Sequence, residues 1–199
     1  MTQQREVRIL ADISLEKRDD KPEVLAGYAA VFGSEADIGG YFREVVAKGA
    51  FSEALTRDDI HALYNHDYRD VIGRKKAGTL VIEEDDHGLR VEITPPNTQT
   101  ARDLIENIRA GNIDQMSFAF SMQGGLQEWD ETGEIPKRTI KKVGELFEVS
   151  IVPRGAYPTT EIGLRALEDH RKERKRHNFN AAALRRSMKM GVDMRARGI

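Results

Sequence analysis

Three residues in this chain have side chains and settings suited to acyl-transfer chemistry: Ser117, His66 and Glu148. Gln115 to Met122 alternates strictly, with Met116, Phe118, Phe120 and Met122 on one face and Ser117, Ala119 and Ser121 on the other. A serine on a face of small residues leaves room for a carbonyl to approach its hydroxyl. The alternative is a strand with one packed and one solvated face, on which a serine has no special role. His66 follows a short apolar run, Ile60 to Tyr64, and lies between Asn65 and Asp67. Imidazole both takes and returns a proton near neutrality, which makes it the usual general base. Glu148 interrupts the apolar segment Val143 to Val152, on a face read as Leu146, Glu148, Ser150 and Val152. A carboxylate buried there needs a partner. That partner is either a histidine, which it would orient and stabilise as a cation, or an arginine or lysine in an ion pair.

Other chemistries find less support. The chain has no cysteine, which removes thiol nucleophiles, thiolate zinc sites and disulfides. It lacks the G-x-S-x-G elbow, the H-E-x-x-H helix, the P-loop and the G-x-G-x-x-G fingerprint. His61, His66 and Asp67 are the nearest thing to a metal-ligand group, but neighbouring residues on a strand diverge, so no metal or cofactor is assigned. Among the other histidines, His61 is read on the opposite face from Tyr64 and His66. His87 falls in a hairpin turn, and His170 and His177 fall in a basic tail.

The elements that must hold these residues are mostly short strands. Residues 1–22 read as one edge strand and a loop, and Val24 to Phe32 as a buried strand. Phe42 to Leu55 looks loosely helical around Gly49. Thr79 to Glu84 and Leu89 to Thr94 form a hairpin whose turn ends at Gly88, read as a positive-φ position. Residues 98–111 are the clearest helix, with Thr100 and Asp103 as a capping-box start, Leu104, Ile105 and Ile108 on one face, and Gly111 as the left-handed cap. Residues 124–139 read as a polar loop, and Val143 to Val152 as the last strand. Six or seven strands with two or three helices predict a mainly β domain of α+β type, a bent antiparallel barrel with helices packed outside it.

Composition separates the chain into two parts. The net charge of −2 combines a body at −9 with a tail, residues 165–199, whose 11 basic and 4 acidic side chains give +7. The expected domains are residues 1–165 and a helical or disordered basic tail, 166–199. No apolar run spans a bilayer, and Met1 to Ile9 lacks the apolar core of a secretory signal, so a cytoplasmic protein without membrane contact is expected. A nucleic-acid-binding barrel would show aromatics along a basic groove. Here the body is acidic, and Phe118 and Phe120 share the core face.

Eight segments in order resemble the HK97-type phage prohead proteases. They are Gly27-Tyr28-Ala29-Ala30-Val31-Phe32, Gly49-Ala50-Phe51, Asn65-His66-Asp67, Gly73-Arg74, Gly78-Thr79-Leu80, Gly88-Leu89, Met116-Ser117-Phe118-Ala119-Phe120 and Glu148-Val149-Ser150-Ile151-Val152. The resemblance implies an assemblin-like bent barrel ringed by helices, with Ser117 as nucleophile and His66 as base. For the third member it leaves a choice, since assemblins use a second histidine and some related phage proteases an acidic residue. The matching strand here offers Glu148. Pro153-Arg154-Gly155-Ala156 is the expected source of an oxyanion donor. The implied function is a serine endopeptidase that cleaves the scaffolding segment of the major capsid protein, and itself, inside the procapsid in a bacterial cytoplasm. A homodimer is implied by the assemblins, and nonspecific DNA contact is considered for the +7 tail. The competing reading is a catalytically inactive scaffold or assembly protein on the same fold.

Overall fold

The computed structural model describes residues 5–16, 23–153, 165–176 and 179–180 of the chain. Two compact units are distinguished, Met1–Thr160 and Glu161–Ile199. In the second unit, residues 165–176 are helical. Residues 177–178 and 181–199 of the expected basic tail lie outside the described residues.

Twelve strands and two helices make up the described part of the first unit. The strands are β1 (Glu6–Glu16), β2 (Val24–Val31), β3 (Glu35–Ile38), β4 (Phe42–Val46), β5 (His61–Tyr64), β6 (Asp67–Arg74), β7 (Leu80–Glu84), β8 (Gly88–Ile93), β9 (Gln115–Ser121), β10 (Leu126–Asp130), β11 (Lys137–Lys142) and β12 (Glu145–Val152). The helices are α1 (Ser52–Arg57) and α2 (Gln99–Arg109). An eight-stranded sheet runs β6-β5-β12-β9-β1-β2-β8-β7, and a four-stranded sheet runs β10-β11-β4-β3. The sheets are mixed rather than wholly antiparallel: β12 pairs with β5, and β11 with β4, in parallel.

One core collects apolar side chains from both ends of the large sheet, Ala62 and Ile72 at one end and Ile82, Val91 and Ile93 at the other. Burying all of them together requires the sheet to bend around them. Phe118 is central, edge-on to Phe51 and stacked with Phe120, each at 5.3 Å between ring centres. The edge strands β6 and β7 meet at the turn between them, where the Thr79 amide donates to the Arg74 carbonyl at 3.2 Å. No ladder joins β6 to β7 among the described residues, so the sheet is rolled but its strand pairing stays open. Among the described residues of this unit, two helices fall short of the expected ring.

Several local expectations change. β1 is no edge strand: it lies between β9 and β2. Phe42 to Val46 is extended because Val45 and Val46 pair with Thr139 and Ile140, and the helix begins only at Ser52. The polar stretch 124–139 contains β10 and the start of β11. Helix α2 is capped by Thr98, whose side chain accepts from the Ala101 amide at 3.2 Å, while Thr100 turns to Asp70. Gly111 has the expected positive φ, 73°.

Gly88 is needed for closeness rather than for its φ. A Cβ there would lie 2.0 Å from the Ala30 carbonyl oxygen, where β8 crosses the irregularity in β2. Gly88→Ala is therefore expected to destabilise the fold by about 1–3 kcal/mol, the usual scale of forced overpacking. Urea unfolding would show it, and an unchanged midpoint would contradict the close approach.

Candidate active site

The site forms where β5, β12 and β9 lie side by side. In the β12/β9 ladder Ser150 stands opposite Ser117, and Glu148 opposite Ala119. Directly opposed residues share a face, so Glu148, Ser150 and Ser117 lie together. Val149 and Ile151 face the core with Phe118 and Met116. Leu146 does not share the Glu148 face. A register shift between Leu146 and Glu148 puts Leu146 opposite Phe120 and into the core.

His66 reaches this face through a two-residue turn. Asn65 and His66, between the paired residues Tyr64 and Asp67, have φ of 52° and 62°. Positive φ at both central positions is the pattern of a type I′ hairpin, which normally takes Asn followed by Gly. Histidine in the second place carries a backbone cost of about 1–3 kcal/mol, and such strain collects at functional sites. The turn also defeats simple alternation. His61 and Leu63 stand beside Glu148 and Ser150 in the parallel register, while Ala62 and Tyr64 pack on the core. The imidazole is thus on the His61 side, contrary to the expectation that it follows Tyr64.

Three hydrogen bonds seat the turn on β12. The Asn65 amide donates to the Ile151 carbonyl at 2.9 Å. The His66 amide donates to the Ser150 hydroxyl at 3.2 Å. The imidazole Nδ1 lies 2.7 Å from Glu148 Oε1. With its proton on Nδ1 and directed at the carboxylate, the ring has Nε2 free to accept another. Glu148 is fully buried, whereas the His66 side chain is 23% exposed.

Both partners weighed for Glu148 are present. Arg5 donates to the same Oε1 at 2.5 Å, and its guanidinium lies over the Tyr68 ring. Tyr68 in turn meets the His61 ring edge-on at 5.8 Å. The Ser150 hydroxyl donates to Oε2 at 2.5 Å. Asp67, though adjacent to His66, is engaged elsewhere. Hydrogen bonds from the side chain and amide of Arg69 pull its carboxyl down to about 2.

Ser117 is fully buried, and its hydroxyl donates to the Arg8 carbonyl on β1 at 2.8 Å, not to His66. Both faces of β9 are therefore buried, unlike the solvated-face alternative. His66 and Glu148 are in direct contact. Ser117 is one ladder position away, across from a serine that touches both. Ser150 and Arg5 were missed by the sequence reading, although Ser150 falls on the predicted Glu148 face. The proposed oxyanion loop lies outside the described residues beyond Pro153. Among the described residues no group of three or more His, Cys, Asp or Glu is arranged to hold a metal, and no helix is long and apolar enough to cross a membrane.

A search among solved structures finds the capsid assembly protease of bacteriophage T4, 16% identical, with 75% of this chain and 98% of that chain covered and a TM-score of 0.45. No curated protein matches the chain. The family described as Caudovirus prohead serine protease matches residues 11–174, a span that contains Ser117, His66 and Glu148. The chain belongs to the Caudovirus prohead serine protease family.

Proposed function

We propose that the chain is a serine endopeptidase in which Ser117 is the nucleophile, His66 the general base and Glu148 the residue that orients it. The observation that carries this reading is the 2.7 Å contact between His66 Nδ1 and a buried carboxylate, on the sheet face that also bears Ser117. In this reading the Ser117 hydroxyl leaves the Arg8 carbonyl, to which it donates at rest, and donates to Nε2 instead. His66 then takes the proton as the oxygen attacks the scissile carbonyl, and Glu148 stabilises the imidazolium. The same proton passes to the leaving amine, and water repeats the sequence on the acyl-enzyme.

The substrates in this reading are the scaffolding segment of the major capsid protein and the enzyme itself, cut inside the procapsid. Residues 1–165 form the catalytic domain, on a rolled sheet read as a bent barrel. Residues 166–199 form a basic tail that directs the chain into the shell, contacts DNA nonspecifically and is removed by self-cleavage. The catalytic unit works as a homodimer. One observation favours the rival, an inactive assembly protein: the buried Ser117 hydroxyl is already bonded to a carbonyl.

One experiment separates the two. Wild type and Ser117→Ala are incubated alone and with the cognate capsid protein, and all chains are weighed by mass spectrometry. Cleavage of the capsid protein and loss of the tail by wild type only are expected. An intact capsid protein with wild type leaves the inactive reading standing.

A further inference from the structure

We infer that Ser150 is a positioning residue that locks the base and the carboxylate together, an inference that rests on the catalytic reading of Ser117, His66 and Glu148. Ser150 is fully buried on β12, between Leu63 of β5 and Ser117 of β9. A hydroxyl offers one proton and two lone pairs, and both kinds of site are used. The proton goes to Glu148 Oε2 at 2.5 Å, and a lone pair receives the His66 amide at 3.2 Å.

Each bond fixes a different degree of freedom. Glu148 Oε1 is held by His66 and Arg5, and Ser150 on Oε2 stops the carboxylate from rotating about its last bond. The amide bond fixes the main chain of His66 in its positive-φ turn. Without an acceptor, that amide would add the cost of an unmet donor to a turn that is already strained. Ser150 therefore controls both the origin of the imidazole and the direction of its Nδ1 contact. It is not assigned as the nucleophile, because its hydroxyl is held on both sides, donating to Glu148 and accepting from the His66 amide.

The test uses the full chain and an alkyl fluorophosphonate, which forms a Ser Oγ–P bond as fluoride leaves and the base accepts the hydroxyl proton. Peptide mapping locates the label, and turnover of a capsid-protein cleavage peptide gives kcat and KM. Wild type is expected to label at Ser117. Ser150→Ala is expected to label at Ser117 about 10–100-fold more slowly and to lose kcat to the same degree, as misplacing a reacting group does, with KM unchanged. Ser150→Thr, which keeps the hydroxyl, restores most of the rate.

Labelling of Ser117 at the wild-type rate in Ser150→Ala overturns the inference and leaves the catalytic reading intact. Label on Ser150, or none on Ser117 in wild type, overturns the catalytic reading and the inference with it. If Ser150→Ala does not fold, Ser150→Thr is compared with Ser150→Cys, whose thiol is the poorer hydrogen-bond partner. The threonine variant is then the faster, and equal rates overturn the inference.

Discussion

Glu148→Gln is expected to lower kcat by about 10²–10³-fold, less than the ~10⁴-fold loss that follows when the histidine of a serine protease also takes the wrong tautomer. Substrate affinity should change little, because the amide has nearly the shape of the carboxylate, while the melting temperature should fall because Arg5 loses its buried counter-charge. The loss has a particular origin here. Arg5 and His66 both donate to Oε1, so the amide oxygen stays on that side and the tautomer of His66 is kept. What disappears is the negative charge that stabilises the imidazolium as Ser117 attacks. In its place the forming cation faces Arg5 with nothing between them to balance the two. Adding Arg5→Gln to Glu148→Gln should therefore recover about 10-fold, as expected for two like charges a few ångströms apart at the partly exposed edge of a protein. Single-turnover kinetics on a cleavage peptide, with thermal melts as a control for folding, would measure both effects. A Glu148→Gln enzyme retaining more than a tenth of wild-type kcat would remove Glu148 from the mechanism.

How much of this was legible in the sequence depended on whether local pattern and tertiary contact agreed. Met116 to Phe120 alternates because both faces of β9 are packed, one by aromatics and one by small residues, so the strand and the orientation of Ser117 were readable. Glu148 was readable as a charge needing a partner, though not that a histidine and an arginine would share one of its oxygens. β1 was misread for the opposite reason. Glu6 and Arg8 look like surface residues, and only partners from β4 and β11 make a central strand of them. His66 was assigned the wrong side because alternation does not pass through a turn with two positive φ values. The β6 run, with charges at Asp67, Arg69, Asp70 and Arg74, carries little apolar signal and was not recognised as a strand. The parallel pairing of β12 with β5, which brings Ser150 to His66 across 84 residues, leaves no mark in any local window.

The charges that hid β1 give the largest stability effect. Glu6, Arg8, Glu44 and Arg138 are all buried, with side-chain exposures between 1% and 6%. Arg138 donates to Glu6 Oε2 at 2.7 Å and Glu44 Oε2 at 2.9 Å. Arg8 donates to Glu6 at 2.7 Å and to both oxygens of Glu44, and its guanidinium lies over the Phe120 ring. The four charges balance and tie β1 of the large sheet to β4 and β11 of the small one. Arg138→Met leaves two carboxylates facing one guanidinium, and is expected to cost about 3–5 kcal/mol, as breaking a buried ionic group does. In a chain of this size that lowers the melting temperature by about 6–20 °C. Acid supplies the second half of the test. Burial pushes the Glu6 carboxyl up, but Arg138 and Arg8 outweigh it and hold it below its ordinary value of 4.5. Its contribution is thus fully present above that value and is lost as pH falls through the lower folded-state value. Without Arg138, burial prevails, the carboxyl takes up its proton at higher pH, and the acid-induced fall in stability should begin earlier. Urea unfolding of both proteins between neutral pH and the acid range would show the two curves separating, and a variant within about 1 kcal/mol of wild type throughout would mean that the network contributes no more than an exposed ion pair.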